Sequence, residues 1–137
     1  MKIKTENNKE YIFDVVRKKY VLNQPEEWVR QNIIKFLNEK KGYPISLMSV
    51  EKKTKVNNSK KRCDIICHNS SGNPLLLIEC KANEIDDTAF DQSVNYQNMV
   101  KAKYIIITNG KNHYCFKIQN RKLIFSKRIP TYSELNH

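Results

Sequence analysis

A chain of 137 residues is one domain's worth and long enough to bury a core of its own. Hydrophobic residues make up 39%, too many for a disordered chain, and no apolar run approaches the roughly 20 residues of a membrane span. Lys and Arg number 25 against 14 Asp and Glu, and this formal net charge of +11 favours polyanionic partners, nucleic acid first among them, over a bare solubility role.

The opening "MKIKTENNKE" carries no apolar stretch of the signal-peptide kind, so the expected location is the cytoplasm and the expected state of the cysteines is the thiol. Cys63 and Cys67 lack the second knuckle of a zinc site and read as small apolar residues on one face of a strand. "YIFDVVRKKYVL" (11–22) is rich in β-formers and predicts a strand or hairpin packed on the main body. The clearest helix is "NQPEEWVRQNIIKFLNEKKGYP". Asn23 can cap it, Pro25 suits its first turn, and Glu26 and Glu27 complement its dipole. Val29, Ile33, Phe36 and Leu37 line one face, Gly42 ends the periodicity and Pro44 blocks continuation.

Three strands follow: "SLMSVEKKTKV" (46–56), "RCDIICH" (62–68) and "PLLLIECKA" (74–82), with "NNSK" and "NSSGN" as turns. "DDTAFDQSVNYQNMVKA" (86–102) predicts a second helix, and "KYIIITNG" (103–110) a continuously apolar strand. "HYCFKI" (113–118) and "KLIFS" (122–126) predict a closing hairpin. Strand, helix and strand over 74–110 form one β-α-β crossover, hence a parallel pair buried on both faces, while the earlier strands pair antiparallel. The expected fold is an α/β or α+β domain: a mixed sheet in the order α-β-β-β-α-β plus a terminal hairpin, with helices flanking it. It is read as a single domain over 1–137, with an extension at 1–22, a core at 23–118 and a terminal strand and tail at 119–137.

The third strand ends in Glu79-Cys80-Lys81, so Glu79 and Lys81 share a face. With Ser71-Gly72 as a two-residue loop, the register sets Asp64 directly across from Glu79, and Arg62 across from Lys81. Facing Cβ atoms lie roughly 4.5–5.5 Å apart. Two carboxylates so close either share a proton or admit a cation, and their hard oxygens suit Mg²⁺ or Mn²⁺, with a backbone carbonyl and waters completing the shell. Lys81 stands where it could orient a water or offset charge on a phosphate. The competing reading is an ordinary cluster of ion pairs, and a different loop length would separate the two acids.

Asp64 followed by Glu79-x-Lys81 on the next strand resembles the signature of the PD-(D/E)xK nuclease superfamily, and the order of elements resembles its core. Gln92-x3-Tyr96 is similar to the Q-x3-Y element of RecB-like members. "RKKYVLNQPEEWVRQ", "GYP", "KKRCDIICHN", "LLLIECKA", "DQSVNY" and "YIIITNGKNHYCF" together resemble the N-terminal nuclease domain of type I restriction enzyme R subunits, over about 17–116. The residue before Asp64 is Cys63, where the superfamily's name has proline.

The resemblance implies Mg²⁺- or Mn²⁺-dependent hydrolysis of DNA. Asp64, Glu79 and the carbonyl of Cys80 would hold the metal, and Lys81 would be the catalytic lysine. Gln92 and Tyr96 would steady Lys81 or a DNA phosphate. A glutamate on the first helix completes such sites. Glu26, in line with Val29 and Ile33, is expected to face inward and Glu27 outward, although Glu26 also suits a capping-box-like turn with Asn23. Lys61 and Arg62, within the basic run that includes Lys52, Lys53, Lys55 and Lys60, are candidate phosphate contacts. His113 reads as a hydrogen-bonded structural residue and Trp28 as core or helix-packing surface.

No G-x4-G-K-[ST] loop is present, so the expected form is a nuclease domain standing without its motor. Its partners would be DNA, a helicase-like translocase or specificity subunit, and a second copy of the chain if both strands are cut. The alternative is a catalytically inactive nucleic-acid-binding or scaffolding module of a restriction or repair assembly.

Overall fold

The computed structural model describes residues 1–56, 59–82 and 101–136. The first element is a small antiparallel sheet of β1 (Ile3–Glu6), β2 (Lys9–Asp14) and β3 (Lys19–Leu22), in that order. The sequence reading stopped short of β1. Its signal is Asn7-Asn8, both at positive φ (51° and 63°), which closes a two-residue turn between Glu6 and Lys9. Asparagine tolerates that left-handed backbone better than most residues.

Helix α1 (Pro25–Lys41) starts without a side-chain cap, at Gln24 rather than Asn23. Asn23 is drawn to the small sheet instead: its backbone N–H donates to the Glu10 carbonyl (2.9 Å) and its side-chain amide to Glu10 Oε1 (2.6 Å). The helix ends at Gly42, whose φ of +78° supplies the left-handed residue that lets the chain turn back. Tyr43 then enters the core. Its hydroxyl donates to the Pro130 carbonyl at 2.8 Å and its ring meets Tyr132 edge to face. The "GYP" segment thus stops α1 and ties down the C-terminal tail, where Thr131 and Glu134 cap the short helix α2 (Tyr132–Leu135) reciprocally.

A 3₁₀ turn (Ile45–Leu47) leads into the main sheet, so the first strand of the meander begins at Met48 rather than Ser46. The sheet runs in sequence order: β4 (Met48–Val56), β5 (Ser59–His68), β6 (Pro74–Cys80), β7 (Tyr104–Thr108), β8 (His113–Gln119) and β9 (Lys122–Ser126). Only β6 and β7 are parallel among its described pairs, in register Leu76–Tyr104 to Cys80–Thr108. One face packs Ile65, Cys67, Leu76, Ile78, Ile106 and Cys115 against Val29, Ile33, Ile34 and Leu37 of α1. Each such Val, Ile or Leu side chain contributes about 1.5–3 kcal/mol on full burial. The other face carries Ile66, Leu77, Ile105 and Ile107. All but the last two residues of the second predicted helix lie outside the described residues.

The β5–β6 hairpin corrects the two-residue loop expected at Ser71-Gly72. The turn spans 69–73. Asn69 Oδ1 accepts from the N–H groups of Ser71 (3.0 Å) and Asn73 (2.9 Å), and Gly72 sits at φ +85°. His68 accordingly pairs with Pro74, a register that would place Asp64 and Glu79 on opposite faces. A bulge between Cys67 and His68 shifts the ladder by one, so that Cys67 meets Leu76, Ile66 meets Leu77 and Ile65 meets Ile78. The bulge thus restores the facing of Asp64 and Glu79 that the sequence reading reached through a different turn.

Candidate active site

One step past the Ile65–Ile78 pair, Asp64 and Glu79 fall opposite each other on one face, and both are buried (2% and 5% exposed). The β6 strand is fixed at this end by β7, because the Lys81 backbone N–H donates to the Thr108 carbonyl at 2.9 Å. Asp64 Oδ2 accepts from the Cys80 backbone N–H at 2.7 Å, which locks the two strands together at the site. Lys81 Nζ lies 3.4 Å from Glu79 Oε1, on the same face two residues on.

Glu79 Oε2 is buried and has no hydrogen-bond partner among the described residues. Burial foremost, then the negative charge of Asp64, raises the Glu79 carboxyl to about 8 against the pull of Lys81; Glu26 adds to the rise. An orphaned carboxylate oxygen in a protein interior calls for an ion, a proton or a water.

Helix α1 adds a group the sequence reading passed over. Arg30 is 1% exposed and bridges two acids: Nη2 donates to Asp64 Oδ1 at 3.0 Å and Nη1 to Glu27 Oε2. Burial works against its charge, but Asp64 and Glu27 more than offset this and hold the guanidinium protonated more firmly than usual. Gln31 Nε2 donates to Glu27 Oε1 (3.2 Å), and Arg17 Nη2 lies 3.5 Å from the same oxygen. Arg17 also holds Asp14, which is fully buried; burial would raise the Asp14 carboxyl, but the hydrogen bonds from Arg17 and Val16 win and lower it. Alternating charges therefore run from the small sheet to the site: Asp14, Arg17, Glu27, Arg30, Asp64.

The two helix glutamates divide differently from expectation. Glu27 is buried and committed to Arg30, Gln31 and Arg17. Glu26 is half-buried, and its charge adds to the rise of the Glu79 carboxyl. The sequence signal was present: Glu27, Arg30, Gln31 and Ile34 repeat at helical spacing, and all four are buried. Charged residues in such a row read as a solvated face unless a facing Asp64 is known.

Lys61 and Arg62 lie on β5, paired with Thr54 and Lys53. Gln92 and Tyr96 lie outside the described residues. His113 is structural as expected: Nδ1 is 2.6 Å from Thr108 Oγ1, its ring stacks on Phe36, and burial lowers its pKa. Trp28 is not core, being 44% exposed; its ring edges the β7–β8 turn, where a Cβ on Gly110 would approach Cζ3 to 3.3 Å.

The residues fit a hard divalent cation. Glu79 Oε2 is unpartnered among the described residues, Asp64 faces it, and the Cys80 carbonyl belongs to the same strand end. Among the described residues no group of three His, Cys, Asp or Glu side chains converges. Such an ion would therefore draw on Asp64, Glu79, that carbonyl and water, a shell that suits Mg²⁺ or Mn²⁺ rather than zinc.

A mixed sheet with one parallel pair and a helix packed on one face has the restriction-endonuclease-like fold. Residues 25–130 match the family described as type I restriction enzyme R protein N terminus, and the chain belongs to that family. Among solved structures it is similar to a fragment assigned as an HsdR subunit of a type I restriction enzyme from Vibrio vulnificus YJ016. The identity is 19% and the TM-score 0.63, over 82% of this chain and 24% of that one, so this chain spans about a quarter of its length. No match was found among curated proteins. Among the described residues no helix is long and apolar enough to cross a membrane.

Proposed function

We propose that the chain is a metal-dependent DNA endonuclease domain in which Asp64, Glu79 and the Cys80 carbonyl hold Mg²⁺ or Mn²⁺. The observation that carries this reading is the buried Glu79 Oε2, without a hydrogen-bond partner among the described residues, facing Asp64 at the end of a parallel strand. A bound divalent ion supplies Lewis acidity toward a phosphate oxygen and lowers the pKa of a coordinated water. Arg30 and the Cys80 N–H hold Asp64 in one orientation, so the acid pair is set before any ligand arrives. Lys81 opposes, without cancelling, the rise of the Glu79 carboxyl. Lys81, which pairs with Glu79 Oε1 at 3.4 Å, is the cation placed to orient a water or offset charge on a phosphate at this site. Glu26 supplies a further acceptor at the rim. Lys61, Arg62, Gln92 and Tyr96 are assigned to the DNA phosphates or to steadying Lys81. DNA, a translocase or specificity subunit, and a second copy for cutting both strands are the proposed partners.

Supercoiled-plasmid nicking with Mg²⁺ or Mn²⁺ tests this. Asp64→Ala and Lys81→Ala are each expected to abolish it, and cleavage that survives both substitutions removes the assignment.

The hold of Arg30 on Asp64 favours a second reading, a module that keeps the fold and binds nucleic acid without cutting it. Titration calorimetry separates the two, because the silent module gives no Mn²⁺ heat that depends on Asp64 and Glu79.

A further inference from the structure

We propose that the outer face of the N-terminal sheet binds single-stranded nucleic acid, with bases stacking on Tyr11, Phe13 and Tyr20 and lysines holding the phosphates. The sheet spans 3–22, ahead of the part of the chain that its family accounts for, and the catalytic reading makes no use of this face.

Strand alternation defines the surface. Ile12 and Asp14 of β2 are fully buried, so Tyr11 and Phe13 point away from that buried side. Register sets Lys4 and Leu22 beside Tyr11, and Tyr20 beside Phe13. The outer face therefore gathers three aromatic rings and Leu22. Tyr20 is 37% exposed and Leu22 43%. Tyr11 and Phe13 are half-buried, so the four together form a partly exposed apolar group of the kind that marks an interaction surface.

Charge selects the occupant. Lys4 Nζ lies 4.4 Å from the Tyr20 ring centroid and Lys2 Nζ 5.5 Å from that of Phe13. Lys9 stands on the same face, across from Glu6, which is the one acid in these rows and pairs with Lys4 at 3.3 Å. Rings interleaved with ammonium groups suit a polyanion that also offers flat π faces, which describes a single strand with unstacked bases. A duplex hides those faces, and an apolar protein partner leaves the lysines without counter-charges. Phe13 and Tyr20 meet edge to face at 5.2 Å, so they form one rigid platform rather than two loose rings. Phe13 also lines, with Lys2, Val15 and the α1 residues Ile34, Lys35 and Glu39, an open cleft of about 320 Å³, so the platform reaches the edge of α1 and leaves a flanking nucleotide room.

The surface also leads to the acid pair. Asp14, at the end of β2, and Arg17, in the following turn, are held to Glu27 and Arg30, so a strand bound on this face is anchored to the element that positions Asp64.

The test is fluorescence anisotropy with labelled oligothymidylate, oligouridylate and a duplex of the same length, in EDTA so that cleavage plays no part. Wild-type protein is expected to bind the single strands in preference to the duplex, with affinity falling steeply as salt rises. Tyr11→Ala combined with Tyr20→Ala is expected to weaken single-strand binding by about tenfold or more. Tyr20→Phe, which keeps the ring, is expected to match wild type. If the alanine variant does not fold, photocrosslinking of 5-iodouracil oligonucleotides to the wild type reads the same face, with adducts expected on Tyr11, Phe13 or Tyr20. Unchanged affinity in the folded alanine variant, equal loss with Tyr20→Phe, crosslinks confined to other residues, or self-association through this face without oligonucleotide binding would each overturn the proposal.

Discussion

Arg30 Nη2 donates to Asp64 Oδ1 at 3.0 Å while Nη1 holds Glu27, so one buried guanidinium from α1 fixes the key acid of β5. Removing it takes from two buried carboxylates the guanidinium they share, leaving Asp64 only the Cys80 N–H among the bonds named above and Glu27 its bonds to Gln31 and Arg17. Arg30→Ala is therefore expected to destabilise the fold by roughly 3–5 kcal/mol, the cost of breaking a buried pair from one side. Arg30→Lys keeps the charge but not the fork and should recover only part of it. Urea denaturation measures both, and a near-neutral Arg30→Ala would show that the bridge is not carrying Asp64.

Glu79 sets a pH dependence of stability. Its carboxyl titrates near 4.5 in an unperturbed setting and near 8 in the fold. Between those values the folded state keeps a proton that the unfolded chain has lost, so in metal-free buffer stability falls as pH rises from about 4.5 to about 8. Glu79→Gln removes that titration. Its melting temperature is expected to exceed that of wild type near pH 8 in EDTA, with the gap closing toward pH 5 and shrinking when Mn²⁺ is added to the wild type. A constant gap across that range would contradict the burial argument.

The sequence carried the acid pair, the parallel crossover and α1, because each rests on a strong period or on a continuous apolar run such as Leu75–Ile78. It placed Asp64 opposite Glu79 through the wrong turn. A bulge at Cys67–His68 compensates for a five-residue loop, and no local composition announces a bulge inside "RCDIICHN". Arg30, Glu27 and Gln31 escaped for another reason. Whether a polar stripe on a helix is solvated or buried depends on what faces it, and here that is Asp64 and Arg17, 34 residues downstream of Arg30 and 10 upstream of Glu27. Of the two readings for Trp28, core or helix-packing surface, the structure takes the second, because its ring lies against Gly110 in the β7–β8 turn while staying 44% exposed.

Tyr43→Phe separates fold from site. The hydroxyl of Tyr43 donates to the Pro130 carbonyl at 2.8 Å, far in sequence from the acid pair. Its loss is expected to cost about 1 kcal/mol and to loosen the C-terminal segment in hydrogen exchange, leaving nicking and Mn²⁺ binding unchanged. A matching loss of metal binding would mean that the tail and the site are coupled.

Lys81→Gln keeps a polar end, one atom shorter, without the charge. Since Lys81 opposes the rise of the Glu79 carboxyl, its removal is expected to shift the pH at which Mn²⁺ binds toward higher values. Nicking should fall by about 100-fold or more, as for loss of a charge-stabilising donor. Rates read in single turnover would report the chemical step; an unchanged rate would relegate Lys81 to a surface ion pair.

The central claim concerns a cation shared by Asp64 and Glu79, and anomalous scattering from crystals soaked in Mn²⁺ tests it most directly. The expected result is one peak within roughly 2.0–2.4 Å of both carboxylates and the Cys80 carbonyl, absent in Glu79→Gln crystals. Difference density with no peak there, and Lys81 still on Glu79 at saturating Mn²⁺, would contradict it.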